Sequence, residues 1–376
     1  MKHRLEIVED GLLFANKYPA DWAIHAYYPR IIELKPKDLL CVYRRASALY
    51  ADDARSWVLR STDNGKTWQD EGRLYDGSQD AKHYSYSVMN LTQMRDGQIV
   101  VTGHRFHRPT PTTPMYDDKT GGILPVEFVL HRSFDGCRTW TPPEVPTLPD
   151  RHIFPYDSIT DLDNGAWLSA GDWEVIGAEK DPLKPHVMAV VSGDKGKTWK
   201  VLAPMAGAGR GSPKTFWHTR VNRLPDRRLI AYAWTGDETG QKMLTLHRII
   251  GTPDATKWSA PEPTNLQGQT NRPVSMGGQN VAVVMSDRES KNPGIYVALS
   301  EDGGLRFDTD RWVQIWDAYG TDSIGVPRTD KYPSSHDNIA FGAPDAIRLS
   351  DGDIMASFWG SQRGQMVVRW ARVRMV

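Results

Sequence analysis

The chain has 376 residues, with 46 basic (Lys plus Arg) and 46 acidic (Asp plus Glu) side chains, so its formal net charge is zero. This balance excludes an overall charge field that would draw the protein to nucleic acid or to an anionic membrane, while a local basic pocket stays possible. The only two cysteines, Cys41 and Cys137, are too few for a disulfide framework or a cysteine-based zinc site. The sequence also lacks metal-binding and nucleotide-binding motifs, and we expect no cofactor.

The first residues, MKHRLEIVEDGLLF, carry scattered charges and lack the apolar core of a signal peptide. No later run reaches the length of a membrane span. We therefore expect a cytoplasmic protein that acts on a small molecule or an oligosaccharide, with neither nucleic acid nor membrane as partner.

Six turns, each joining an apolar strand to the strand before it, follow one another along the chain. They lie within residues 33–43, 94–101, 162–169, 224–234, 276–285 and 349–359. Each predicts an inner strand, a turn and a second strand of one small sheet. The six sheets are predicted to begin near Tyr27, Tyr86, Tyr156, Trp217, Arg272 and Pro344.

A second turn pattern, Ser-x-Asp-x-Gly-x-Thr-Trp, recurs between these units. It is complete at residues 61–68 and 192–199 and degenerate at 133–140, 252–258 and 300–307. Its Asp is expected to accept hydrogen bonds from turn N–H groups, its Gly to supply a positive φ, and its Trp to anchor the turn. The aromatic positions are 72, 59, 59 and 49 residues apart, and a repeat of this length built from short strands is typical of a β-propeller.

Residues 1–376 are therefore predicted to form a single all-β domain, a six-bladed β-propeller. Only about two strands follow the sixth turn, whereas the first residues, LEIVEDGLLFAN, provide a strand or two before the first blade. Pairing both ends of the chain in one blade would close the ring and hide its edges.

The second turn pattern resembles the Asp-box, or BNR repeat, of the sialidase (neuraminidase) superfamily, and the resemblance covers essentially the whole chain. It implies a sialidase-like propeller and the activity of a glycoside hydrolase. In that family the Asp-boxes lie on the face away from the active site, so they indicate the fold rather than the chemistry.

Residues 25–38, HAYYPRIIELKPKD, resemble the family's Tyr-Arg-Ile-Pro segment, whose Arg is one of three that bind the substrate carboxylate. The match falls on Arg30, and Arg220 and Arg272 are candidates for the other two arginines. A guanidinium suits a carboxylate because two parallel N–H donors meet two oxygens. The alternative is a strand arginine paired with a neighbouring acid.

The family's general acid is an Asp on a loop ahead of the strand that enters the first box. Asp52 and Asp53 occupy that loop here; we assign the acid to Asp53 and a substrate contact to Asp52. Adjacent carboxylates near a cavity can raise one another's pKa, as a general acid requires. The alternative for both residues is a solvated turn.

The family's Tyr nucleophile and its Glu partner have no counterpart here: the position that matches the Glu is His218, and the position that matches the Tyr is Ala343. His336 or Tyr332, from the preceding loop, could instead reach the site. His104, His107 and Asp172 with Trp173 are further candidates at its rim, Trp173 as a substrate-binding residue.

We predict a glycoside hydrolase acting on an anionic sugar, with Asp53, His218 and Tyr156 as catalytic residues. Two other functions are left open. A lyase on uronate-containing glycans would use His218 or Tyr156 as the base and an arginine to neutralise the developing enolate. A non-catalytic carbohydrate-binding propeller would use the abundant aromatics, 14 Trp and 14 Tyr, to stack on sugar rings.

Overall fold

A computed structural model of the protein describes residues 3–117, 119–177, 186–207, 213–318 and 340–376. Over these residues the chain forms six antiparallel sheets arranged in a ring, and the only helix is the short 3₁₀ turn Thr309–Arg311. The predicted all-β, six-bladed propeller is thereby confirmed. No helix in the described part of the chain is long and apolar enough to span a membrane.

The first three blades follow the chain from the second strand onward. Blade I contains β2 (His25–Lys35), β3 (Asp38–Ala46), β4 (Arg55–Ser61) and β5 (Gln69–Arg73). Blade II contains β6 (Tyr84–Gln93), β7 (Ile99–His107) and β8 (Val126–Ser133). Blade III contains β9 (Ile153–Pro155), β10 (Thr160–Asp161), β11 (Trp167–Trp173), β12 (Val187–Ser192) and β13 (Lys200–Ala206), and its inner strand is split because β9 and β10 both pair with β11.

The last three blades have four strands each. Blade IV contains β14 (Thr215–Arg223), β15 (Leu229–Gly236), β16 (His247–Gly251) and β17 (Glu262–Pro263). Blade V contains β18 (Asn271–Gly277), β19 (Asn280–Asp287), β20 (Gly294–Ser300) and β21 (Val313–Asp317). Blade VI contains β22 (Phe341–Arg348), β23 (Ile354–Gln362), β24 (Gln365–Met375) and, as its outer strand, β1 (Leu5–Phe14).

Blade VI closes the ring with strands from both ends of the chain, as predicted. β1 pairs antiparallel with β24, from Leu5 opposite Met375 to Phe14 opposite Val368. The backbone hydrogen bonds of this ladder join residues far apart in sequence, so β1 covers the edge that β24 would otherwise expose.

The hydrophobic core is divided among the junctions between neighbouring blades. Each of the six main clusters of buried apolar side chains draws on two adjacent blades. Phe358 of blade VI and Trp316 of blade V, for example, pack with ring centroids 5.7 Å apart. The second strands are buried on both faces, which explains apolar runs such as VAVVM at residues 281–285.

The repeated turns form the hydrogen bonds expected of them. In the first turn, Asp63 accepts from the Thr67 N–H at 2.9 Å and the Trp68 Nε1–H donates to the Gly65 carbonyl at 2.8 Å, while Gly65 has φ +93°. Cys137 takes the same left-handed conformation in the second copy, with φ +71°. These turns connect third strands to fourth strands in blades I, III, IV and V.

The two faces of the ring differ in the parts of the chain that reach them. Every inner strand begins on one face, which we call the cleft face, and runs towards the other, the turn face, where the repeated turns lie. Because strands in a blade alternate in direction, the loops β1–β2 and β3–β4 and the ends of the second strands also reach the cleft face.

Candidate functional site

A ring of polar side chains crosses the propeller axis. Five of its members stand at the same position of their inner strands, since each pairs with the residue twelve further along: Arg30 with Val42, Asn90 with Thr102, Arg220 with Tyr232, Arg272 with Val284 and Asp345 with Ser357. Ser158 completes the set from blade III. We call these six residues the axial ring, and they bring together the three arginines that the sequence singled out.

Arg272 is paired with two carboxylates and one hydroxyl group at the propeller axis. Its Nε donates to Asp345, its Nη1 lies 2.8 Å from Asp157, and its Nη2 donates to Ser158 Oγ at 3.2 Å. Asp157 also accepts from the Val221 N–H at 2.6 Å. Burial alone would raise the pKa of Asp345, but Arg272 and the other two arginines of the ring hold it below its usual value.

Arg30 and Arg220 form more of their hydrogen bonds with uncharged main-chain carbonyls than Arg272 does. Arg30 donates to the carbonyls of Pro29 and Ala343 at 2.9 and 3.0 Å, and its Nε is 3.9 Å from Asp345. Arg220 donates to the Tyr156 carbonyl and lies 3.3 Å from Asp157. Burial lowers the pKa of Arg30 to about 10 and also lowers that of Arg220.

The ion pairs within this network are uneven. Among the described residues, the three guanidinium groups pair with two carboxylates, those of Asp157 and Asp345, and Asp172 acts on Arg220 only through its charge. A buried positive charge with incomplete compensation is costly, and it favours an anion nearby.

Two bulky residues on the cleft side of the ring have strained backbones. Tyr28 and His218 have φ +52° and +45°, and Ala343 takes the same conformation with φ +44°. In each strand the pairing register shifts at this point, which marks a β-bulge two residues before the ring position. Bulges redirect side chains, and left-handed conformations of large residues concentrate at functional sites.

An aromatic cluster surrounds Tyr156 on the cleft face. Its ring lies 4.9 Å from that of His104 and 5.2 Å from that of His218, and His218 in turn stacks on Trp234 at 5.8 Å. Burial lowers the pKa of His104 to about 3, so this imidazole is neutral, and neither of its nitrogens has a partner among the described residues. The structure thus brings together the predicted catalytic pair Tyr156 and His218.

Two acidic residues extend from the end of β11 into the same region. Asp172 and Glu174 are two residues apart, and the antiparallel pairing with residues 152–154 continues past both, so their side chains point to one side. Asp172 accepts from the His218 N–H at 2.6 Å, and its carboxylate is 3.4 Å from His218 Nδ1.

Both carboxyl groups hold their protons to unusually high pH. Burial raises the pKa of Asp172 to about 7, and burial together with the charge of Asp172 raises that of Glu174 to about 8. Burial, followed by the charge of Glu174, also raises the pKa of Tyr156 well above its usual value. A carboxyl group that is protonated near neutral pH can serve as a general acid.

The predicted acids Asp52 and Asp53 lie on the β3–β4 loop of the cleft face. Asp52 is 3.0 Å from His83 Nε2, and the exposed Asp53 accepts hydrogen bonds from the Ser47 N–H and Oγ at 3.0 and 3.2 Å. These contacts order the loop. The catalytic role of Asp53 and the substrate contact of Asp52 stay predictions.

Trp173 points away from the two acids that flank it. Its ring is stacked between His152 and His186, at 5.0 and 5.2 Å, and packs against the cluster between blades II and III. This position favours a packing role over the predicted contact with substrate. His336 and Tyr332 lie outside the described residues.

On the turn-face side of the ring the axis widens into a cavity of about 380 Å³. Its walls are formed in equal number by apolar and by polar or charged residues, and Ser158, Arg272 and Asp345 of the ring reach into it. The axial ring therefore separates this cavity from the cleft. Within the described residues no group of three or more His, Cys, Asp or Glu is arranged to hold a metal ion.

The sequence did not reveal Glu174 or Tyr28 as site residues. Glu174 follows Asp172 in AGDWE, and the Asp-x-Glu spacing on a predicted strand was a usable signal for two acids on one side. No feature of the sequence indicated the bulge at Tyr28.

No protein-family model matches the sequence, and no curated protein resembles it in sequence. Solved structures do resemble the fold. A Dyadobacter fermentans protein described as of unknown function is 20% identical, with a TM-score of 0.71 over 99% of both chains. The Hadza microbial sialidase Hz136 is 16% identical, with a TM-score of 0.65 over 92% of this chain and 65% of its own.

An α-L-arabinanase from Penicillium chrysogenum, solved with arabinobiose, is 15% identical, with a TM-score of 0.61 over 97% of this chain and 98% of its own. At these identities the likeness concerns the fold alone. The chain thus has the six-bladed propeller fold found among glycoside hydrolases, sialidases and arabinanases included.

Proposed function

We propose that the protein is a glycoside hydrolase whose active site lies on the cleft face between blades III and IV. The observation that carries this proposal is the placement of two carboxyl groups, Asp172 and Glu174, beside Tyr156 and His218: Asp172 accepts from the His218 N–H at 2.6 Å, the Tyr156 and His218 rings lie 5.2 Å apart, and burial raises the pKa of both carboxyl groups. Hydrolysis of a glycosidic bond requires a group that donates a proton to the leaving oxygen near neutral pH.

Glu174 is the proposed general acid. It is half-buried, whereas Asp172 is fully buried and bound by the His218 N–H, so Glu174 is the more accessible of the two carboxyl groups to a substrate. Glu174 gives its proton to the leaving oxygen as the bond from that oxygen to the sugar carbon breaks. Asp172 acts as a positioning residue that fixes His218 and, when ionised, keeps Glu174 protonated.

His218 completes the proposed machinery, and its ring packs against that of Tyr156. A water molecule forms the new bond to the sugar carbon, and His218, held against Asp172, is placed to accept its proton.

The incompletely neutralised arginines Arg30 and Arg220 support an anionic substrate, because a carboxylate would compensate the excess positive charge of the axial ring.

One observation favours a second function, a lyase on uronate-containing glycans. The Tyr156 ring lies 5.2 Å from that of His218, and Arg220 donates to the main-chain carbonyl of Tyr156, so a base and a cation lie close together, as proton abstraction beside a carboxylate requires. In that reaction the proton leaves the carbon, the glycosidic oxygen departs, and a double bond forms without added water.

Kinetics on substrates with good and poor leaving groups test the role of Glu174. We expect Glu174→Gln to lower kcat by about 10²- to 10⁴-fold on oligosaccharides and far less on 2,4-dinitrophenyl glycosides, whose leaving group needs no proton. Asp53→Ala is measured in parallel. Asp226→Asn is the matched control, since this exposed carboxylate pairs with Arg228 and lies on the turn face.

Equal losses on both kinds of substrate would remove Glu174 from the acid's role. A selective loss in Asp53→Ala instead would restore the acid predicted from the sequence. Turnover that is unaffected by either variant would place the active site elsewhere.

A further inference from the structure

The loop between β1 and β2 displays two exposed aromatic side chains on the cleft face. Tyr18 and Trp22 are each 64% exposed, whereas every other Tyr and Trp among the described residues is buried or half-buried. The loop starts where β1 ends and finishes where the inner strand β2 begins, so it lies on the face that carries the proposed active site.

A buried polar side chain holds this loop in shape. Asn16 is 7% exposed; its Nδ2 donates to the Trp22 carbonyl at 2.6 Å and its Oδ1 accepts from the Tyr18 N–H at 3.0 Å. The Trp22 N–H also donates to the Tyr18 carbonyl at 3.0 Å. The Asn16 N–H in turn donates to Gln365 at the β23–β24 turn, at 2.9 Å, which ties the loop to blade VI.

The polar groups of the loop, and not its aromatic rings, therefore determine its conformation. Two large rings that are presented to solvent by an ordered backbone contribute little to folding, because the gain from burying their apolar area is not realised. Exposed aromatic side chains of this kind are typical of binding surfaces.

The loop lies within reach of the cleft. Trp22 is six residues from Tyr28, so their Cα atoms are at most roughly 20 Å apart. Arg30, two residues after Tyr28, donates to Asn90 Oδ1 at 3.3 Å, and Asn90 Nδ2 donates to the Tyr156 carbonyl at 2.9 Å, so Tyr28 lies near the cleft residues. A bound chain of several sugar units could thus occupy the cleft with one end and the loop with the other.

We propose that residues 16–22 form a sugar-binding platform, on which Tyr18 and Trp22 stack against the apolar faces of sugar rings distant from the bond that is cleaved. This inference rests on the proposed function for the identity of the ligand, an oligosaccharide of several units. It assigns the loop to the recognition of long substrates, while the cleft residues act on the terminal unit.

Binding of labelled oligosaccharides tests the platform without requiring turnover. The full chain in a Glu174→Gln background is titrated into fluorescently end-labelled hexagalacturonate, an anionic probe, and arabinohexaose, a neutral one, with fluorescence polarisation as the readout. We compare Tyr18→Ala, Trp22→Ala and the double variant. Phe134→Ala is the matched control, because Phe134 is 72% exposed but belongs to a repeated turn on the opposite face.

Tyr18→Ala and Trp22→Ala are each expected to weaken binding by roughly threefold to tenfold for whichever hexasaccharide the Glu174→Gln protein binds more tightly. The Phe134→Ala variant should bind that hexasaccharide as tightly as the Glu174→Gln protein does. Monosaccharide binding should be unchanged in all variants. Unchanged hexasaccharide affinity in the double variant would overturn the proposal, as would the absence of binding to both hexasaccharides.

Two further results distinguish the sugar-binding platform from the hydrolase activity and from a protein interface. If hexasaccharide binding depends on Trp22 but the wild type never cleaves a glycan, the platform stands and the proposed hydrolase fails. If the wild type is a dimer by size-exclusion chromatography with light scattering and the double variant is a monomer, the loop is a protein interface and the platform is refuted.

Discussion

Replacing Asp157 with Asn should destabilise the propeller by removing a buried charge that is paired with two arginines of the axial ring. The side chain of Asp157 is 1% exposed and lies 2.8 Å from Arg272 and 3.3 Å from Arg220. Its carboxylate also accepts the Val221 N–H at 2.6 Å, a bond that the oxygen of Asn can keep. The amide nitrogen of Asn would then replace the oxygen that faces both guanidinium groups and accepts the Ser158 N–H at 2.8 Å, so the variant loses both the compensating charge and that acceptor.

Breaking a buried ion pair costs about 3–5 kcal/mol, and because Asn preserves one acceptor but leaves the Ser158 N–H without its own, we expect a loss of at least about 3 kcal/mol. This is a large part of the roughly 5–15 kcal/mol by which folded proteins are stable. Urea denaturation followed by tryptophan fluorescence would show it as a lower transition midpoint with an unchanged slope.

Asp163→Asn provides the matched control. Asp163 also binds three arginines, Arg95, Arg223 and Arg227, but its side chain is 30% exposed. Solvent screens such pairs, so the midpoint should hardly move. Equal effects of the two substitutions, or a loss below about 1 kcal/mol for Asp157→Asn, would refute the view that the ring is a buried and charge-dependent support.

Three other predictions follow from the site and the ring closure. In the folded protein the pKa values of Asp172 and Glu174 are about 7 and about 8, whereas the usual values are 3.8 and 4.5. Stability should therefore fall as the pH rises from the usual pKa values to those of the folded protein, because the folded state binds more protons there. Thermal unfolding of Asp172→Asn should show a shallower fall over the same pH range. The same substitution removes a charge that raises the pKa of Glu174, so the alkaline limb of any remaining activity should move to lower pH; an unmoved limb would contradict the coupling. Deleting residues 1–14 removes β1 and exposes the edge of β24, and we expect oligomers in light scattering, whereas a stable monomer would show that the edge needs no cover.

The propeller was predictable because its signals are local. The turn that ends in Trp68 and its copies needs Asp, Gly and Trp at fixed positions to form its own hydrogen bonds, so its spacing reveals the blades directly. Pairing of β1 with β24 followed from counting strands. The sequence also singled out Arg220 and Arg272 as candidates for binding the substrate carboxylate.

The chemistry of the site was less predictable because it depends on partners from other blades. Whether Arg272 is free for a ligand depends on Asp157 and Asp345, which belong to blades III and VI. Alternation along β11 places Trp173 opposite its neighbours, but only the packed fold shows that the acids, and not the Trp, face the cleft. Likewise, the raised pKa of Glu174 arises from burial that the sequence does not display.

The most direct test of the proposed activity is mass spectrometry of the products formed in ¹⁸O-labelled water. The protein is incubated with sialic-acid-capped, uronate-capped and arabinose-based oligosaccharides, alongside Glu174→Gln. We predict products that gain one labelled water with an anionic substrate, and almost none in the variant. Cleavage without incorporated label would identify a lyase, and an untouched panel would contradict enzymatic function and favour a carbohydrate-binding propeller.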